Sequence, residues 1–121
     1  MRPDHGSVWS YHTSGSPEEQ EAWLERDLSA AARRPWKVVF LHGPLYGSSR
    51  HGGDEVIRRD LEPVLIRHGV DPVFSGHDHC YERTVPIEGV TYVVGGGGGK
   101  RLYPAGENAW TARSASVHHA V

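Results

Sequence analysis

Apolar residues along the chain recur first at helical spacing and then in short continuous runs. Leu24, Leu28 and Ala31, with Trp23 beside them, fall on one face of a helix. Ser16 fits an N-cap, Pro17 the first helical position and Glu19 the reciprocal capping-box partner, so the pattern predicts a helix over 17–33. Pro35 ends it. Lys37-Val38-Val39-Phe40-Leu41-His42 is almost continuously apolar, which suits a strand buried on both faces of a sheet. Residues 43–53, with their Gly, Pro and Ser, read as a loop. Val56, Ile57, Leu61, Val64 and Leu65 predict a second helix over 54–68, kinked or split by Pro63 and capped by Gly69.

Val70 to Ser75 is a second short strand. Strand, helix and strand at this spacing form a βαβ unit, with parallel strands and a right-handed crossover. Residues 85–90 read as a turn, Thr91 to Val94 as a third strand and Gly95 to Gly99 as a flexible loop. Residues 101–121 carry little pattern, with Ser116 to Val121 the start of a further strand. Residues 1–15 have no period and read as an irregular N-terminal segment. The fold class is therefore α/β.

A length of 121 residues fits one domain or part of one. Net charge is −2 with histidine neutral, so no nucleic-acid-binding surface is evident. No apolar stretch is long enough to span a membrane. No signal peptide is visible, and the compartment is left open. The single cysteine, Cys80, excludes an internal disulfide. Nine histidines in so short a chain are the feature that changes the picture, because they direct attention to metal binding.

In open α/β sheets ligands collect at the carboxyl ends of the strands. His42 closes the first predicted strand, and His77 and His79 follow the second. Three imidazoles thus converge on one sheet edge, and imidazole suits Zn, Fe and similar metals. In extended chain His77 and His79 would point to one side and Asp78 to the other. A single histidine of this kind is more often an isolated surface residue; three at matched strand ends favour a metal site. The Gly95 to Gly99 run does not fit a phosphate-binding loop, because its Gly-Lys pair, Gly99-Lys100, lacks the spacing.

Two blocks carry a resemblance. Val38-Val39-Phe40-Leu41-His42-Gly43-Pro44 is similar to a V-x-x-H block, and Gly76-His77-Asp78-His79-Cys80-Tyr81-Glu82-Arg83 to a G-H-x-H block with a Y-E-R tail. Together, in this order, they resemble the calcineurin-like metallophosphoesterases, in the purple acid phosphatase branch. The resemblance implies the C-terminal half of a four-layer α/β/β/α sandwich, with residues 16–121 a partial metallophosphoesterase domain. It implies phosphomonoester hydrolysis through a metal-bound hydroxide in a site of two metal ions, drawn from Fe, Zn and Mn. His42 and His77 would bind one metal and His79 the other. His51 would contact phosphate or protonate the leaving group. Asp78, Glu82 and Arg83 would support the ligands from behind, Glu82 and Arg83 through an ion pair or through loop backbone.

The D-x-H, G-D-x-x and G-N-H blocks that complete the family's site have no match in the 121 residues. The expectation is a piece of a longer domain, able to hold one metal or none by itself. The alternative to an enzyme is accordingly a non-catalytic metal-binding fragment that needs a missing N-terminal half or a partner. The expected partners are a phosphoester substrate and, through a sheet face left open, further copies of the chain.

Overall fold

The computed structural model describes residues 16–118. The expected irregular segment 1–15 and the end of the expected Ser116–Val121 strand, including His119, lie outside the described residues. Helix α1 spans Pro17–Ala30, strand β1 Val39–Phe40, helix α2 Glu55–Arg67, β2 Pro72–Ser75, β3 Tyr81–Thr84, β4 Thr91–Gly95 and β5 Thr111–Ala115. The strands form one mixed sheet in the order β1-β2-β4-β3-β5. β1, β2 and β4 are parallel neighbours, while β3 pairs antiparallel with both β4 and β5.

The capping box at α1 is complete, with Ser16 Oγ accepting the Glu19 N–H and Glu19 Oε2 accepting the Ser16 N–H. The helix ends three residues before the expected boundary, at the Ala31 cap. Leu24 and Leu28 are buried, but Trp23, grouped with them by pattern, is 57% exposed. Asp54 caps α2 by accepting the N–H groups of Val56 and Ile57. Pro63 does not split α2, which runs unbroken through it. It lies on the exposed side of the helix. Gly69 takes φ +62° after the helix, and the Val70 N–H reaches back to the Leu65 carbonyl, closing the C-terminus.

Both helices contribute to the core. Leu24 and Leu28 join Ile57, Leu61, Val64 and Leu65 against Val73 and Tyr92 of the sheet. Fully burying one such side chain contributes about 1.5–3 kcal/mol. The opposite sheet face is not covered: Phe40 is 76% and Phe74 38% exposed. The expectation that β1 is buried on both faces therefore fails, because among the described residues helices lie on one face only. Two layers of the implied four are present in this stretch.

β3 and β4 are joined by a turn whose central residues, Glu88 and Gly89, both have positive φ (48° and 87°). That backbone suits the right-handed twist of a hairpin. β3 and β5 were not expected from apolar pattern. β3 carries Glu82 and Thr84 at buried positions, so its inward face is polar.

Candidate functional site

The parallel ladder of β1 and β2 continues to the site, since the Leu41 N–H donates to the Phe74 carbonyl and the Gly76 N–H to the His42 carbonyl (both 3.0 Å). This fixes His42 and Gly76 side by side at the carboxyl ends of neighbouring strands. Beyond Gly76 the chain turns. The Asp78 N–H donates to the Gly76 carbonyl at 2.7 Å, and His77, at the centre of that three-residue turn, has φ +65°. A non-glycine residue there is strained, by roughly 1–3 kcal/mol. A second such turn brings the Cys80 N–H to the Asp78 carbonyl at 2.9 Å. The expectation of extended chain from His77 to His79 is thus corrected: consecutive tight turns, not alternation, direct these side chains.

The turns bring His77 to His42. His77 Nδ1 and His42 Nε2 are 3.3 Å apart, and the rings meet edge to face. His51 lies on the other side of His77, with ring centroids 4.3 Å apart. Burial first, then the neighbouring His51 and His42, push the His77 imidazole below its ordinary value. That favours the neutral ring, the form with a lone pair to give. His79 is turned elsewhere: its Nδ1 donates to the Arg101 carbonyl at 2.8 Å, which leaves Nε2 as the unprotonated nitrogen. Its ring stacks on Tyr103 at 4.2 Å. His42, His77 and His79 line one open cleft of about 270 Å³ with Gly96, Gly98 and Lys100.

The buried carboxylates brace this cleft. Asp78 is fully buried and accepts the N–H groups of His51 (2.9 Å) and Gly52 (3.1 Å), one on each oxygen. Glu82, also buried, accepts the Ser48 N–H at 2.8 Å and the hydroxyls of Ser48 and Thr111. Glu82 therefore ties the loop after β1 to β5 rather than pairing with Arg83, which lies on the opposite, exposed face of β3. Cys80 is buried, and burial raises its thiol pKa, as befits a packing residue.

Among the described residues no three His, Cys, Asp or Glu side chains come close enough to share one ion. The expected imidazoles therefore divide into a His42–His77 pair and a separate His79. Ser48 and Tyr103 lie in stretches without period, where no residue pattern singles them out. Gly96 falls in the expected flexible loop, yet a Cβ there would sit 1.8 Å from the Asp78 carbonyl oxygen. Only glycine allows β4 to leave the sheet so close to the Asp78 turn.

Comparison with known proteins identifies the family. The model of the calcineurin-like phosphoesterase family matches residues 4–81. Purple acid phosphatase 18 of Arabidopsis thaliana is 37% identical over 128 residues, covering 91% of this chain and 29% of its own length. The Fe(3+)-Zn(2+) purple acid phosphatase 12 of the same plant is 34% identical, covering 69% of this chain and 19% of its own. Among solved structures, purple acid phosphatase PPD1 from yellow lupin (Lupinus luteus) seeds superposes with a TM-score of 0.69 at 24% identity, over 91% of this chain and 23% of that one. The chain thus spans under a third of the length of these relatives.

Proposed function

Since the chain belongs to the calcineurin-like phosphoesterase family, in its purple acid phosphatase branch, we propose that it supplies the histidine half of a metal-dependent phosphomonoesterase site. The observation that carries this reading is the 3.3 Å separation of His77 Nδ1 and His42 Nε2 at the ends of parallel strands. Two nitrogen ligands at about 2.0–2.1 Å from one tetrahedral ion stand about 3.3 Å apart, so the pair fits a shared metal. His42 and His77 would hold one ion, and His79, through Nε2, a second; Fe with Zn or Mn suits imidazole donors. When filled, such a centre supplies Lewis-acid stabilisation of the phosphoryl oxygens and an activated water.

The chain's own residues supply the rest. The Arg101 carbonyl fixes the tautomer and plane of the His79 ring. Asp78 holds the backbone of His51, whose exposed ring lies beside His77 and would donate a proton to a departing alkoxide.

A second reading, metal binding without turnover, is favoured by the share of the fold present, since the chain spans under a third of the length of its relatives. Loading the chain with Mn, Zn or Fe, counting bound metal and assaying p-nitrophenyl phosphate separates the two. Turnover that His77→Ala abolishes supports the enzyme, and stoichiometric metal without turnover supports the second reading. A chain that binds no metal at all would overturn both.

A further inference from the structure

The loop after β4 reaches the cleft by a fixed route. At its base, Gly96 packs against the Asp78 backbone, and its N–H donates to the Cys80 carbonyl at 3.1 Å. At its far end the chain is bound twice to His79: the Arg101 carbonyl accepts from the His79 ring, and the Tyr103 N–H donates to the His79 carbonyl at 2.9 Å. Between these anchors a Cβ at Gly98 or Gly99 would meet nothing within 4 Å, so the tip is uncrowded. Lys100 is the residue left between tip and anchor, and it lines the cleft together with His42, His77 and His79.

The charge around that cleft is one-sided. Its lining holds three imidazoles and one ammonium, and no carboxylate. Asp78, between His77 and His79 in the chain, is buried and engaged by the His51 and Gly52 N–H groups. Lys100 is exposed and has no ion-pair partner among the described residues. An uncompensated lysine at the mouth of a histidine-lined cleft favours an anion, and favours a dianion over a monoanion.

We propose that Lys100 is a specificity-determining residue that binds the phosphoryl oxygens of a phosphomonoester and selects the dianionic monoester over the monoanionic diester. This rests on the proposed phosphoesterase reading, but its test does not depend on turnover. Inorganic phosphate and diethyl phosphate are titrated by calorimetry into the metal-loaded full chain, wild type and variants.

Lys100→Met is expected to weaken phosphate binding about tenfold, or ~1.4 kcal/mol, and diethyl phosphate by no more than about twofold. Lys100→Arg is expected to keep phosphate affinity within about threefold, since the guanidinium preserves the charge. An unchanged melting temperature in both variants separates lost charge from lost fold. Phosphate binding that Lys100→Met leaves intact would overturn the assignment, as would equal weakening of both anions or no phosphate binding by the wild type. Phosphate binding without p-nitrophenyl phosphate turnover would sustain Lys100 while removing the catalytic reading. Where turnover is present, Lys100→Met should raise KM for p-nitrophenyl phosphate and leave kcat within about threefold.

Discussion

Asp78 holds His51 by its backbone. One carboxylate oxygen accepts the His51 N–H at 2.9 Å and the other the Gly52 N–H at 3.1 Å. Asp78 is fully buried and His51 is exposed, so an interior carboxylate holds the backbone of a residue whose ring lies beside His77. The contact joins the two sequence blocks through the loop that follows the first.

Asp78→Asn tests this clamp. The amide keeps the shape but has a single acceptor oxygen, and its NH2 group meets a backbone donor. One buried N–H then loses its acceptor, at a cost of about 1–3 kcal/mol. The urea midpoint should fall with the slope of the transition unchanged. A midpoint equal to that of the wild type would show that water or another group satisfies these donors.

The clamp also shows where sequence reading reaches and where it stops. Local chemistry was legible: the Ser16 and Glu19 box, the Asp54 to Gly69 helix and the parallel pairing of β1 with β2 follow from capping and apolar runs, while the parallel pairing of β4 with β2 does not. β3 and β5 were not legible, because their pairing is set by register with neighbours rather than by alternation. Glu82 sits inward on β3 because Ser48 and Thr111 satisfy it, and both partners are far away in sequence. The convergence of His42, His77 and His79 on one sheet edge was expected from strand topology, and the grouping of His42 with His77 from the family resemblance. The orientation of His77 and His79 was not, because it depends on turns closed by single hydrogen bonds.

The contact between the helices should make stability fall in acid. Glu25 of α1 accepts from His68 at 2.7 Å and pairs with Arg67. The His68 hydrogen bond first, and the Arg67 contacts after it, hold the Glu25 carboxyl below its ordinary value. A carboxyl lowered in the folded state binds fewer protons there than when unfolded. Its contribution is therefore complete above the ordinary carboxylate range and is lost as pH falls through the lowered value. Thermal midpoints from pH 3 to 7, compared between wild type and Glu25→Gln, should differ above the ordinary Glu value and converge as pH falls below it. Midpoint curves that run parallel at every pH would remove Glu25 as the source.

A second titration reports on the core beneath the site. The Tyr46 hydroxyl donates to Glu62 at 2.5 Å, and Tyr92 donates to the same oxygen at 3.2 Å. Burial first, and the Glu62 hydrogen bond and charge after it, push the Tyr46 phenol up to about 12. Glu62→Gln removes the charge but leaves the burial. The Tyr46 pKa should fall toward 10 without reaching it, as read from phenolate absorbance on alkaline titration. No change would show that burial alone sets the value.

The open sheet face yields the last prediction. Phe40 and Phe74 are register partners on β1 and β2, and their rings stack at 5.4 Å between centroids. Both rings face away from the helices, and Val38 on the same side is 45% exposed. A contiguous apolar patch of this kind favours association, because covering it removes apolar surface from water. Self-association should therefore appear in sedimentation velocity as a weight-average mass that rises with concentration. Phe40→Ser should reduce that rise. It should also change monomer stability by only about 0.5 kcal/mol, since so exposed a ring contributes little to the monomer's core. A mass that stays monomeric at high concentration would overturn the association, and a large fall in stability would mean that Phe40 supports the fold itself.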